Sequence, residues 1–200
     1  FGFFDYCLYI YVTHKQYYAK QRRILLKEII VLSSKNYDNS ETTNYGDCIL
    51  INTGTELIIY DCGHEAHANV VIDYMAQNGF DKAKLILSHN DSDHFDGVLK
   101  LLSEDKLSVI RTTLLLKYKD KILEKIDDNR KTRDSVGKQV LTLYDNIAKL
   151  TGAPLEDIYE HPESLCNEVS IIGPDFDYMI ETVAKRLDGR EGNTIDGETA

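Results

Sequence analysis

The sequence has no Cys-x-x-Cys pair. Its four cysteines, Cys7, Cys48, Cys62 and Cys166, lie far apart, which excludes a zinc ribbon and a dense disulfide framework and leaves reduced, mostly buried thiols as the expectation. It also has no apolar run long enough for a bilayer. The aromatic stretch Phe1 to Tyr11 falls well short of the roughly 20 apolar residues a spanning helix takes. The basic residues Lys15, Lys20, Arg22 and Arg23 follow that stretch instead of preceding it, the wrong order for a secretory signal. Residues 1–22 therefore read as a leader with no function assigned, and the cytoplasm is the default location. Positive charge is scarce: the formal net charge is −10, which excludes broad electrostatic capture of nucleic acid or anionic lipid. A role on nucleic acid would have to rest on one local site. No internal repeat or low-complexity tract is present.

What is present is an alternation of short apolar strands and amphipathic helices. Ile24–Leu26 and Ile29–Leu32 suit a buried strand, and Ser33 to Tyr45 suits a polar surface loop. Gly46-Asp47-Cys48 leads into Ile49–Asn52. Thr53-Gly54-Thr55 then turns the chain and Leu57–Tyr60 returns, a β-hairpin closed at Asp61-Cys62-Gly63. Val70, Val71, Tyr74 and Met75 are spaced for a helix over 66–78, with Gly79 where a C-terminal cap belongs. Lys84–Leu87 is the next strand, and Leu99, Leu101 and Leu102 continue as a helix. Thr112–Leu116 is a further strand candidate, Lys119 to Leu150 reads as one or two long surface helices, Val169–Ile172 as a strand, and Tyr178–Leu187 as a helix. The order is that of a layered α/β domain over residues 23–200.

Between the strand at 84–87 and the helix after it stands Ser88-His89-Asn90-Asp91-Ser92-Asp93-His94-Phe95-Asp96-Gly97. His89, Asp91, Asp93 and His94 all carry side chains that ligate divalent cations, nitrogen from imidazole and oxygen from carboxylate. In an extended turn His89 and Asp91 project to one side and can hold one ion. Asp93 and His94, at the bend into the helix, can face a second. Two ions about 3.5–4 Å apart clamp a nucleophile and a leaving oxygen, and each lowers the pKa of bound water. An isolated loop of this kind would serve as a helix start with Asp93 as its cap. The strand before it, the two histidines, and the upstream Gly-Asp and Asp-Cys-Gly favour metal instead. His64 and His67 lack partners at ligand spacing and read as exposed loop and helix surface. Asp127-Asp128-Asn129 lacks the glycine and distal glutamate of a calcium loop and reads as charged helix surface. His14 and His161 read as bystanders.

These residues resemble the metallo-β-lactamase superfamily, whose signature is His-x-His-x-Asp-His. The match is to the ComEC/Rec2-like variant with aspartate at the third position, here His89-Asn90-Asp91-Ser92-Asp93-His94. Gly46–Ile51 and Ile59–Gly63 are similar to the family's opening hairpin, and Ile171–Pro174 to a later segment, so the resemblance covers roughly residues 24–187. It implies an αββα sandwich and a metal-dependent hydrolase. His89 and Asp91 would bind the first ion and Asp93 and His94 the second, with Asp93 also orienting the attacking water. Asp47 and Asp61 would support the ligands by hydrogen bonds. The implied cofactor is Zn2+, two ions in a full domain, with Mn2+ as the alternative. The implied substrate is a phosphodiester in nucleic acid or a nucleotide. A lactone or thioester is the second possibility, and a non-catalytic metal-binding or interaction module the third. The family's later ligands have no counterpart before Ala200, so the domain reads as incomplete at its C-terminus.

Overall fold

A computed structural model describes residues 9–12, 28–32, 46–143, 145–160, 166 and 169–188. Its main sheet has six strands in the order β2-β3-β4-β5-β6-β7: β2 Glu28–Leu32, β3 Cys48–Asn52, β4 Leu57–Tyr60, β5 Ala83–Ile86, β6 Leu107–Thr112 and β7 Leu155–Asp157. β2, β3 and β4 pair antiparallel, β3 and β4 as a hairpin joined by a short turn. From β4 onward the pairing is parallel, and each step is bridged by helix. A second, two-stranded sheet joins β1 (Tyr9–Val12) antiparallel to β8 (Val169–Gly173).

Side chains alternate across the main sheet, as the pleat requires. Leu50, Leu57, Ile59 and Leu85 face one side, where Ala68, Val71 and Met75 of α1 (Glu65–Asn78) and Phe95, Val98 and Leu101 of α2 (Ser92–Ser103) complete the core. Ile51, Ile58 and Ile86 face the other side and meet Ile158, Cys166 and Val169. The layering is thus helices, six-stranded sheet and second sheet, the expected α/β architecture. A further apolar cluster joins α3 (Lys119–Glu124), α4 (Arg133–Leu143) and α5 (Phe176–Leu187) through Ile122, Val136, Val140, Ile180 and Val183. Among the described residues no helix is long and apolar enough to cross a membrane.

The hairpin, α1, β5, α2, β8 and α5 stand where hydrophobic periodicity put them. Gly79 is the left-handed cap of α1, at φ 73°, with its N–H donating to the Met75 carbonyl. Residues 9–12, within the segment read as a leader, form β1. Other expectations are corrected. β2 is an edge strand and not a buried one, with Ile29 and Val31 49% and 70% exposed. The strand expected at 112–116 lies at Leu107–Thr112, and a 3-10 turn occupies Leu115–Tyr118. Residues 127–129 follow α3 in a loop, where Asp128 accepts from the Arg130 guanidinium. Ile24–Leu26, the loop at 33–45, Cys7, His14 and His161 lie outside the described residues. Cys48, Cys62 and Cys166 are buried and in no disulfide, as expected.

Candidate metal centre

The cluster of histidines and aspartates sits where β5 runs into α2, at the end of the sheet to which parallel β4, β5 and β6 deliver their C-termini. Main-chain bonds fasten it from both sides. The carbonyl of Asp93 accepts from Asp47 N (2.9 Å), the carbonyl of His94 accepts from Cys62 N (2.9 Å), and Gly97 N donates to the Cys62 carbonyl (2.8 Å). Such close approach needs glycine. A Cβ at Gly63 would lie 1.6 Å from the Asp93 carbonyl oxygen, and one at Gly97 would lie 2.4 Å from the His64 carbonyl oxygen.

Asp61 is the centre of the polar network. It is fully buried and adopts a left-handed conformation, φ 55°, which a short polar side chain tolerates better than most. Its Oδ1 accepts from Ser88 N (2.7 Å), and its Oδ2 accepts from Ser88 Oγ (2.6 Å) and from Nδ1 of His94 (2.9 Å). The single hydroxyl proton of Ser88 is thereby committed to Asp61, so Ser88 Oγ can only accept from Nδ1 of His89, 2.9 Å away. One carboxylate therefore fixes the proton on Nδ1 of both imidazoles, directly for His94 and through Ser88 for His89. In the neutral imidazoles both Nε2 atoms then keep a lone pair.

The two rings stand 4.0 Å apart, centroid to centroid. Ligand atoms of His89, Asp93 and His94 lie within 4.8 Å of one another. The structure thus groups these three, where the sequence spacing divides four residues two and two. Asp91 stands beside the trio as N-cap residue of α2, its Oδ2 3.5 Å from His89 Nε2. Asp93 lies in the first turn of α2, with Oδ2 3.7 Å from His94 Nε2. Asp47 contributes mainly through its backbone: its N–H holds Asp93, its carbonyl holds Gly63 N (3.0 Å), and its side chain is largely exposed, 3.9 Å from His94.

Burial pulls His94 toward its neutral form, but the hydrogen bond and charge of Asp61, with Asp93 and Asp47 beyond, outweigh it and raise its pKa above the ordinary value. An imidazole ringed by three carboxylates is a place where positive charge is favoured. Paired Nε2 lone pairs beside a carboxylate fit a divalent cation.

Two features escape sequence reasoning. His67, expected at the surface, is completely buried on the inner face of α1, and burial, then His64, lowers its pKa. His64 is the N-cap of α1, its Nδ1 accepting from Ala66 N (3.1 Å). Asn146, in the 3-10 segment Asp145–Lys149, donates to the Asn90 carbonyl (3.0 Å) and so braces the ligand loop from 56 residues away. No local signal marks it. Ser88 could have been found, since a hydroxyl directly before the first histidine is placed to orient it.

A family model described as the metallo-beta-lactamase superfamily matches residues 42–167, well over half of the chain. The hydroxyacylglutathione hydrolase of Pseudoalteromonas translucida (strain TAC 125) is 37% identical over 62 residues, which is 31% of this chain and 23% of that protein. The chain therefore matches less than a quarter of that relative's length. No solved structure matches the chain. The His/Asp turn and the layered α/β frame lie largely within the matched span, and the chain belongs to the metallo-β-lactamase superfamily.

Proposed function

We propose that the chain is a metal-dependent hydrolase whose divalent cation, zinc first and manganese second, is held by His89, Asp91, Asp93 and His94. The observation that carries this reading is the relay from Asp61, which leaves Nε2 of two neighbouring imidazoles to bind, with the ligand atoms of His89, Asp93 and His94 within 4.8 Å of one another. A bound cation would supply an acidified water and an electrophile for a substrate oxygen. The chain's own residues do the rest. Asp93, half exposed, is free to orient the attacking water and take its proton. His89 and His94 serve as fixed donors and not as bases at Nδ1, because those protons are committed to Ser88 and Asp61. Asp61, sealed from solvent, holds both tautomers and stays outside the reaction.

The substrate class placed first is a thioester or related carbonyl ester, supported by the stretch similar to hydroxyacylglutathione hydrolase. A phosphodiester in a nucleotide or nucleic acid is second, supported by the ComEC/Rec2-like aspartate at position 91. The test is to load the purified chain with zinc or manganese, count bound metal, and assay a hydroxyacyl thioester of glutathione beside bis(p-nitrophenyl) phosphate. Stoichiometric metal and turnover, both lost in His89→Ala and Asp93→Ala with the melting temperature kept, are expected. Turnover surviving both substitutions would sink the site assignment. A chain that never loads metal would replace the hydrolase with an interaction module.

A further inference from the structure

A cavity of about 490 Å³ opens between the 3-10 turn, α3, the segment after β7, the end of β8 and the start of α5. It shares no residue with the metal centre. Three aromatic rings line it. Tyr118 and Phe176 meet edge to face with centroids 4.9 Å apart, Tyr159 and Phe176 at 5.1 Å, and Tyr118 and Tyr159 at 6.2 Å. Two of these residues are fixed by a single buried carboxylate: Asp157 accepts from the Tyr118 hydroxyl (2.7 Å) and from Tyr159 N (2.8 Å) through the same oxygen. Phe176 opens α5, directly after the Asp175 cap, whose carboxylate accepts from Asp177 N and Tyr178 N. The rings are thus held in place without a ligand, and Ile171 adds an apolar wall. The volume falls within the range of small-molecule sites.

The charge at the cavity is specific. Lys117, Lys121 and Lys125 recur every four residues. Lys117 is bonded to Glu160 at 2.8 Å and Lys125 is paired with Glu181 at 3.6 Å. Lys121, the middle member, has no carboxylate partner among the described residues, and its ammonium lies 4.8 Å from the centroid of Phe176 at the cavity. Asp175, the one acid among the described residues lining the cavity, caps α5 through a single carboxylate oxygen and keeps its negative charge at the helix start. A cation placed against the rings would meet the Lys121 ammonium already over Phe176, which disfavours the choline-like ligands that three rings alone would suit. An anion would gain a charge-assisted partner.

We propose that this cavity binds a small molecule with a flat aromatic body and a single anionic group, the ring packed against the cavity-lining faces of Tyr118, Tyr159 and Phe176 and the anion on Lys121. The site is independent of the metal centre and of the hydrolase reading. The test uses two fluorescent probes that differ in charge, 1-anilinonaphthalene-8-sulfonate and uncharged N-phenyl-1-naphthylamine, titrated into the full chain. One saturable sulfonate site per chain is expected. Its Kd should weaken about tenfold in Lys121→Gln, recover in Lys121→Arg, and stay unchanged in His89→Ala. Lys121 is exposed, and an unchanged melting temperature in Lys121→Gln shows that its substitution reads binding alone. Binding of the uncharged probe should ignore Lys121→Gln. Absence of a saturable sulfonate site, or a Kd indifferent to Lys121→Gln, would overturn the proposal.

Discussion

Both oxygens of Asp61 are spent on Ser88, one on its N–H at 2.7 Å and the other on its hydroxyl at 2.6 Å, and the second oxygen is shared with His94. Asparagine tests this arrangement cleanly because it also tolerates a positive φ. Its amide nitrogen, however, cannot accept. In Asp61→Asn the nitrogen either replaces the oxygen shared by Ser88 Oγ and His94 Nδ1, so that both imidazoles lose their fixed Nδ1 protons, or opposes the Ser88 N–H and displaces the loop, and metal affinity is expected to fall about 10–100-fold while the chain still folds. Competition against a chelating dye gives the affinity, and circular dichroism gives the fold. Unchanged affinity would remove Asp61 from its orienting role.

Glycine positions separate close packing from backbone conformation. At Gly63 a Cβ would overlap the Asp93 carbonyl, whereas at Gly79 nothing lies within 4 Å and only φ 73° resists a side chain. Gly79→Ala should cost about 1 kcal/mol, the ordinary left-handed penalty. Gly63→Ala should cost about 3 kcal/mol or more, since backbone must move against backbone. Urea unfolding of both variants measures the difference. Equal losses would mean that the approach of the α2 start to the β4–α1 loop is looser than described.

The Cys48 thiol is pushed well above its ordinary pKa by its hydrogen bond with Cys62, then by burial, then by the charges of Cys62, Asp61 and Asp47. The unfolded chain thus releases this proton at a lower pH than the folded chain. Its contribution to stability is complete below the unfolded thiol value and declines as pH rises through it, by up to about 1.4 kcal/mol per unit. Melting temperature should fall between pH 8 and 10, less steeply in Cys48→Ala. Iodoacetamide at pH 8 should leave Cys48 unmodified until denaturant is added. Rapid alkylation of the native chain would contradict the buried thiol pair.

Asp157 gathers three donors, from Leu114 N, the Tyr118 hydroxyl and Tyr159 N, while only 1% of its surface is exposed. Asp157→Ala leaves all three without their acceptor, and a loss of about 3 kcal/mol or more is expected from orphaned buried donors. Denaturant midpoints measure it. A loss under 1 kcal/mol would show that water replaces the carboxylate.

The sequence was most readable where one short segment contains its own reason. α1 has its stripe and its Gly79 cap, β3 and β4 have their turn, and His89 to His94 are contiguous. β7 is three residues long and β1 is paired with a strand more than 150 residues away, so neither leaves a local periodicity. Ile29 and Val31 were misjudged because apolar content says what a strand prefers and not whether a neighbour covers it. The burial of His67 and the reach of Asn146 to Asn90 depend likewise on what the chain brings alongside. Within the site the ligand types were legible, but the wiring was not. That Asp61 governs both imidazoles needs the left-handed turn at Asp61 and the position of Ser88 together.

The bonds from Asp47 and Cys62 onto the carbonyls of Asp93 and His94, with Gly97 bonded back to Cys62, carry a consequence for motion. The first turn of α2 cannot lift without releasing the ends of β3 and β4, the strands at the middle of the core. Opening of the ligand turn and opening of the sheet should then be one event. In hydrogen–deuterium exchange the amides of Asp47, Asp61, Cys62 and Gly97 would exchange together, at the slow rate of the strands and not at the fast rate of a surface loop.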